Sequence, residues 1–379
     1  LRSNVQIPVL LVGTAETCPD IVYATGFVAL DPVALLLKGG RTWLAVPVLE
    51  AGRAKRALAE HGARTGARVV TPQELKGRGS RPRGADVWAL RLTRLAGVRR
   101  VRVPAGFPYN AARLLIKNGV RVAAVEEVFP ERSVKMTCEV DRIRESQQAA
   151  VLAMRAATSL VGRAATDACG RLKLNGSILT SEALQTAVQK CLLDHGCSCP
   201  EVIAAGGAQG ADPHEKGSGP LRAGEPIVID IFPRHKDHRY CGDLTRTVLK
   251  GKAPARVLKM YRAVRAAQKA ALSQIRPGVK GATVHNAAQR EIERRGFRRC
   301  TMEGKACGFI HGTGHGVGLC VHEAPSLSTV PGRLRSGHVV TVEPGLYYPD
   351  VGGVRIEDTV LVTKTGWRYL VPCEKRLEL

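Results

Sequence analysis

Short apolar runs alternate with amphipathic stretches through the first third of the chain. Residues 7–12 read as a buried strand and 20–30 as a turn and strand. Residues 41–46 form a strand stopped by Pro47, and 49–61 a helix rich in Ala, Arg and Glu. Strands at 68–70, 99–103 and 120–124 then alternate with helices at 86–96 and 109–117, a spacing that predicts an α/β domain. The alternation stops at 130–135, which divides the chain into domains at 1–132 and 133–379. Beyond that point Ile143, Ala150, Met154 and Leu160 recur at helical intervals across 138–168. Further helices are expected at 181–195, 253–274 and 284–294, and strands at 226–232, 240–249, 338–342 and 352–362.

Polar residues break these C-terminal strands where apolar ones would bury more readily. Asp230 sits between Ile229 and Ile231, and a buried carboxylate there must be paired, protonated or bound to metal. Asp243 lies on the returning strand. Two neighbouring strands would set the acids side by side, where they repel, and a cation between them is the natural remedy. The competing reading is an Asp243–Arg246 ion pair with Asp230 as a turn residue. From this pair alone the two readings are even. Glu343 ends a further strand before the Pro344-Gly345 turn, and Glu357 lies within the apolar run 352–362.

The stretch 309–325, FIHGTGHGVGLCVHEAP, places His311, His315 and His322 among four glycines. Each Gly disfavours a helix by ~1 kcal/mol, and no Glu follows His311, so this is not the helical HExxH zinc motif. A nucleotide loop fails too, because Val317 stands where a third glycine is needed and no Lys-Ser/Thr pair follows. Strand and tight turn remain, with the backbone close to whatever the histidines touch. His214 follows Pro213 in the glycine-dense loop 205–219. Asp230, Asp243, His315, Glu343 and Glu357 together offer four carboxylates and one imidazole. That is too much negative charge for one divalent ion, but suits two bridged ions ~3.5–4 Å apart that generate a hydroxide nucleophile at neutral pH. Oxygen-rich ligands favour Mn, Co or Fe over a structural Zn.

Composition narrows the class. At 379 residues the chain suits two domains. No apolar run approaches the ~20 residues of a membrane helix, and the first residues show neither an h-region nor a cleavage site, so no signal peptide is expected. The eleven cysteines are scattered, with Cys197 and Cys199 too close for a zinc knuckle; reduced thiols and a cytoplasmic location are expected. A net charge of +24 raises nucleic acid as a partner. The arginines are dispersed, with local clusters at Arg78, Arg81, Arg83 and Arg99, Arg100, Arg102, and aromatics are too scarce to interleave with them. A solvated, Arg-rich surface is the favoured explanation.

The motifs as a set resemble the pita-bread metallopeptidases: Xaa-Pro aminopeptidase, Xaa-Pro dipeptidase (prolidase) and methionine aminopeptidase, with creatinase as a metal-free relative. They are Asp230 with Tyr240-Cys-Gly-Asp243-Leu-Thr-Arg-Thr247, His311-Gly-Thr-Gly-His315-Gly with His322-Glu323, Val342-Glu343-Pro-Gly345, and Arg355-Ile-Glu357-Asp358. The resemblance runs from about residue 135 to the end. It extends to the first domain through Tyr23-Ala-Thr-Gly26-Phe27, a creatinase/prolidase-type domain that methionine aminopeptidases generally lack. It implies an α/β N-terminal domain, an α+β pita-bread domain and hydrolysis of the bond between an N-terminal residue and a following proline. A methionine aminopeptidase and an RNA-binding pita-bread protein are the alternatives; the latter tend to lose ligands that are all present here. Two divalent ions are implied, manganese foremost, with Co, Fe or Zn as substitutes, and a homodimer is expected. By the same resemblance Asp230 binds one ion and His315 the other, while Asp243 and Glu357 bridge them. Glu343 is a ligand and the general base. His214, His311 and His322 orient substrate and stabilise the tetrahedral intermediate, Thr245 supports a ligand, and Arg355 lies nearby. His235, His238 and His338 match no functional position. One departure stands out: Asp230 and Asp243 are thirteen positions apart, two more than the family's usual spacing. An even insertion preserves strand facing, and the longer loop is placed to alter which substrates fit.

Overall fold

The computed structural model of the chain describes residues 7–61, 67–75, 84–302 and 304–379. Arg78, Arg81 and Arg83 lie outside the described residues. The chain separates into two compact units, Leu1–Arg132 and Ser133–Leu379.

In the first unit the strands are β1 (Val9–Gly13), β2 (Val33–Lys38), β3 (Arg41–Ala45), β4 (Ala67–Val70), β5 (Arg100–Pro104) and β6 (Arg121–Val125). They form one mixed sheet in the order β4-β3-β2-β1-β5-β6. Helices α1 (Pro19–Thr25) and α2 (Ala51–Glu60) cover one face, and α3 (Ala85–Leu95) and α4 (Tyr109–Lys117) the other. Alternate side chains divide between two cores. Leu10, Val12, Ala34 and Leu36 pack with Trp88, Leu92 and Leu115, whereas Val9, Leu11, Leu35 and Leu37 pack with Ile21, Ala54 and Leu58. Burial on both faces explains the unbroken apolar runs.

Two features differ from the sequence expectation. Residues 20–30 do not open as a turn and strand, because α1 occupies Pro19–Thr25. Proline fits the first helical turn, and Gly26 closes the helix at φ 67°, donating its N–H to Val22 O. Strand β2 has no counterpart in the sequence reading. It forms a hairpin with β3 through Gly39 and Gly40, at φ 54° and 80°, a two-residue turn that needs positive φ at both positions.

The second unit contains α5 (Thr137–Arg163), α6 (Ser181–Asp194), β7 (Ile203–Gly206), β8 (Ile227–Ile231), β9 (Leu244–Val248), α7 (Ala255–Leu272) and α8 (Gly281–Arg294). After these come β10 (His315–Gly316), β11 (Glu323–Ser326), β12 (Val339–Val342), β13 (Gly345–Tyr348), β14 (Gly352–Arg355), β15 (Asp358–Val362) and β16 (Trp367–Tyr369). Strands β7-β8-β9 make one antiparallel sheet, β11-β10-β12-β15-β16 a second, and β13-β14 a hairpin. Each large sheet is backed by a helix pair, α5 with α6 and α7 with α8. Met154, Leu184 and Val188 pack on Ile227, Ile229 and Leu244. Met260, Val264 and Ile292 pack on Val340, Val342 and Val360. The run 352–362, expected as one strand, divides at Ile356-Glu357 because β14 pairs with β13 and β15 with β12. That change of partner leaves Glu357 in the two-residue break between β14 and β15.

Arg246 ties these elements together. It is 2% exposed and donates to Asp358 Oδ1 at 2.7 Å, to the carbonyls of Thr245 and Cys373 at 2.9 Å and of Glu374 at 2.8 Å, and to that of Glu357. Its partner is Asp358, so the Asp243–Arg246 pairing does not form. Lys375 Nζ also lies 2.6 Å from Asp358 Oδ2, so losing the arginine leaves Asp358 one cation but strips the donor from four carbonyls. Arg246→Met is therefore expected to lower the unfolding free energy, read from urea transitions, toward the lower end of the about 3–5 kcal/mol typical of breaking a buried ion pair. Arg256→Ala, which breaks an exposed pair with Asp350, should change stability by no more than about 1 kcal/mol.

Candidate metal centre

Strands β8 and β9 place Asp230 opposite Thr245 and Ile231 opposite Leu244. Asp243 precedes β9 by one residue and shares a face with Thr245, so both aspartates look the same way, as the parity of the loop requires. Thr245 Oγ1 donates to Glu357 Oε2 at 2.7 Å, and the Glu357 N–H donates to Thr245 O at 3.1 Å.

His315 is set by close backbone packing. A Cβ on Gly314 would lie 2.7 Å from the Thr341 carbonyl carbon, so only glycine permits this approach. The His315 N–H donates to Thr341 Oγ1 at 3.1 Å, and Thr341 Oγ1 in turn donates to Glu343 Oε1 at 3.2 Å. His315 Nδ1 is 3.1 Å from Gly316 O, which can only accept, so Nδ1 carries the proton. Nε2 then faces the acids, 3.1 Å from Glu343 Oε1 and 3.6 Å from Asp243 Oδ2.

Arg355 holds the opposite side. It is 3% exposed and donates to Asp230 Oδ2 at 2.6 Å, Tyr347 Oη at 2.8 Å and Thr245 Oγ1 at 3.2 Å. His311 Nδ1 donates to Gly312 O at 2.7 Å, which leaves Nε2 to accept from Tyr347 Oη at 2.9 Å. His322 stands edge-on to His315 with ring centroids 4.2 Å apart. Its neighbour Glu323 accepts from Lys135 at 2.5 Å in a pair with side chains 6% and 0% exposed. All nine residues singled out in the sequence as catalytic or metal-binding line one cavity of about 890 Å³: His214, Asp230, Asp243, His311, His315, His322, Glu343, Arg355 and Glu357. Thr245 sits behind the acids.

The charges are unequally balanced. Burial and then the charges of Glu357 and Asp230 hold the Asp243 carboxyl well above its ordinary range. Burial and then Glu343 and Asp230 do the same to Glu357. Glu343 goes the other way: burial raises it, but the hydrogen bond and charge of His315 outweigh burial and bring it to about 2. Asp230 Oδ1 is buried with no hydrogen-bond partner. Asp243, His315 and Glu357 bring ligand atoms within 4.8 Å of one another. An orphaned carboxylate oxygen, two acids that resist ionising side by side and an imidazole nitrogen aimed at them fit a divalent cation.

Tyr347, Thr341 and Lys135 escaped the sequence reading. Tyr347 lies two residues beyond Gly345, in a run that reads only as strand. Glu145, His235 and His238 make a further His/Glu group. The imidazoles there stack at 3.9 Å with planes 12° apart, so both cannot aim in-plane lone pairs at one ion. Their Nδ1 atoms accept from Asp237 N and Tyr240 N, and His238 Nε2 faces Glu145 at 3.2 Å. His338 is buried beside Lys135 and Arg335, and burial first of all brings it down to about 4. All eleven cysteines are free thiols.

An α/β unit followed by two helix-backed sheets around an acid-rich centre defines the pita-bread class of metallopeptidases. The family model described as metallopeptidase family M24 matches residues 141–364, and the chain belongs to this family. Membership implies divalent metal binding and exopeptidase activity. The chain is 30% identical over 294 residues to a Xaa-Pro dipeptidase of Pyrococcus horikoshii, covering 75% of this chain and 76% of that one. It is 36% identical over 179 residues to the Xaa-Pro dipeptidase of Pyrococcus furiosus, covering 47% and 49%. The solved prolidase of Pyrococcus horikoshii superposes with a TM-score of 0.79 at 27% identity, over 98% of this chain and 95% of that one. The X-Pro aminopeptidase of Thermotoga maritima shares the fold, with a TM-score of 0.78 at 23% identity over 98% and 97%. No helix among the described residues is long and apolar enough to cross a membrane.

Because Asp243 and Glu357 favour their protonated forms, divalent cation uptake should release protons, and affinity should fall as pH is lowered. The stability these two acids contribute to metal-free protein is present at low pH and lost as pH rises through their elevated pKa values. Excess Mn²⁺ should remove that loss and add about 2.7 kcal/mol at a hundredfold excess over Kd. Titration calorimetry in buffers of different ionisation enthalpy and thermal unfolding with and without Mn²⁺ measure both effects; absence of proton release would contradict the reading.

Proposed function

We propose that the chain hydrolyses the peptide bond between an N-terminal residue and a following proline, as a dinuclear metal-dependent Xaa-Pro aminopeptidase or dipeptidase. The observation that carries this is the convergence of Asp230, Asp243, His315, Glu343 and Glu357 on one cavity wall. The Xaa-Pro names of its relatives support the substrate class. The unit at 1–132 is taken as the creatinase/prolidase-type domain and 133–379 as the catalytic domain. Asp230 is assigned to one ion, His315 to the other, and Asp243 and Glu357 to both, with manganese favoured by the oxygen-rich set. Such ions would polarise the scissile carbonyl and lower the pKa of the attacking water.

The chain's own groups do the rest. Glu343, held ionised, takes the proton from the attacking water and passes it toward the leaving nitrogen. Arg355 fixes Asp230; burial first, and then the charge of Arg355, favours the neutral form of His311, whose Nε2 accepts from Tyr347 Oη. His322 and His214, exposed at the cavity wall, orient the peptide. A homodimer, on resemblance alone, and a cytoplasmic location, on the scattered cysteines, complete this reading. A methionine aminopeptidase is disfavoured by the first unit, and RNA binding rests only on the charge of +24.

The deciding assay follows hydrolysis of Ala-Pro, Ala-Pro-Ala-Ala and Met-Ala-Ser by protein stripped with chelator and refilled with Mn²⁺. Metal-dependent cleavage of the proline peptides is expected, with the short-to-long ratio separating dipeptidase from aminopeptidase. Glu343→Gln should lose about 10²–10⁴-fold in kcat, the usual contribution of a general base. Cleavage of Met-Ala-Ser alone would assign the methionine branch. No turnover on any of the three, with RNA retained at moderate salt, would favour the binding role.

A further inference from the structure

Two helices that carry no candidate ligand each reach the ligand-bearing strands through one buried amide. Gln147 on α5 is fully buried. Its Oε1 accepts the Asp243 N–H at 2.8 Å, and its Nε2 donates to Asp243 O at 2.9 Å. Asp243 precedes β9 and lies outside the ladder, so the side chain of Gln147 supplies the pair of bonds that a neighbouring strand would give. The helix comes close enough because residue 242 is glycine: a Cβ there would lie 2.7 Å from Gln147 N and 2.8 Å from Ser146 O. Ser146 Oγ adds a bond to Tyr240 O at 2.8 Å.

Gln268 on α7, 1% exposed, plays the matching part in the other half. Its Nε2 lies 2.9 Å from Val342 O, 3.2 Å from Ile356 O and 3.0 Å from Asp358 Oδ2. Val342 and Ile356 immediately precede Glu343 and Glu357. Both glutamines sit on otherwise apolar buried helix faces: Ile143, Ala150, Val151 and Met154 share the face with one, and Val264, Ala271 and Leu272 with the other. A buried amide on such a face is unfavourable unless its hydrogen bonds are made. Here those bonds fall on the backbone at three of the acids.

We propose that Gln147 and Gln268 are positioning residues, Gln147 for Asp243 and Gln268 for Glu343 and Glu357. This rests on the reading of these acids as metal ligands. Groups that fix ligands from behind typically change metal affinity or activity 10–100-fold when removed.

Gln147→Met and Gln268→Met remove the amide at similar length and volume; Gln147→Glu and Gln268→Glu change its hydrogen-bonding sense. Mn²⁺ alone is titrated against a chelating dye, alongside the thermal midpoint of chelator-stripped protein and kcat and KM on Ala-Pro. Both Met variants should bind Mn²⁺ roughly 10–100-fold more weakly. Gln147→Glu keeps an acceptor for the Asp243 N–H and opposes a single carbonyl, Asp243 O, whereas Gln268→Glu opposes two carbonyls and the Asp358 carboxylate, so the loss at 268 should be the greater. Packing alone would shift the thermal midpoint without this ordering and without a change in Mn²⁺ affinity. Met variants that fold and bind Mn²⁺ like the parent overturn the proposal. Where a Met variant does not fold, the two Glu variants decide: a loss at 268 no greater than at 147 overturns it. Glu357→Gln separates the premise from the proposal. If it binds Mn²⁺ as tightly as the parent, the centre itself is misassigned; if it loses binding while the glutamine variants do not, only the glutamine assignment fails.

Discussion

Repulsion among buried carboxylates is the constraint around which the second unit is arranged. Asp230, Asp243, Glu343 and Glu357 face one cavity, and like charges in a poorly solvated site resist ionising together. The chain compensates part of this charge itself. Arg355 neutralises Asp230, Thr245 donates to Glu357, and His315 sets Nε2 3.1 Å from Glu343 Oε1. The remainder falls on Asp243 and Glu357, whose carboxyls rise, and on Asp230 Oδ1, which has no partner. A site that satisfied every acid internally would have nothing left for a cation. This one is balanced on one side and short of positive charge on the other.

Holding such a cluster requires a rigid frame, because each acid would relax away from the others if its backbone could move. The frame is built from pairing that faces away from the cavity. Arg246 lies on the far side of β9 from Thr245 and binds Asp358, the residue after Glu357. Thr341 couples the His315 backbone to the Glu343 carboxylate, and Lys135 anchors the turn beside His322 through Glu323. Helix pairs behind each sheet supply the apolar burial that fixes the strands. Stability and chemistry therefore use opposite faces of the same strands.

The cluster of residues that the cavity gathers was readable because an acid or imidazole where an apolar residue would bury more readily has few physical explanations, and four carboxylates with His315 make five such breaks in one chain. Alternation of strands and helices likewise gave away the first unit, including β1, β5 and β6. What stayed hidden has local causes. The hairpin β2-β3 was announced by Gly39-Gly40, yet Val33–Lys38 lacks alternation because both its faces are buried. Helix α1 is only seven residues long, too short for periodicity to show, and only Pro19 and Gly26 mark its ends. The strand 352–362 reads as continuous because its apolar pattern does not reveal that its two halves change partner. Tyr347, Lys135 and the buried glutamines act through long-range contacts, and no spacing in the sequence encodes those.

The loop between Asp230 and Asp243 shows how such a site keeps its facing. Side-chain facing has period two, so a change of one residue in its length would turn one aspartate away from the other, whereas a change of two leaves both in place. The register of Ile227 with Val248 through Ile231 with Leu244 is unbroken, so the loop lies entirely beyond the strand ends. There Arg234 and His235 pair with Ser198 and Cys197, His235 stacks on His238, and His238 meets Glu145 of α5. The loop is thus spent on contacts to α5 and its neighbours, while Phe232, at its start, lines the cavity. It therefore reaches the cavity through Phe232, and the two aspartates share one face of the strands.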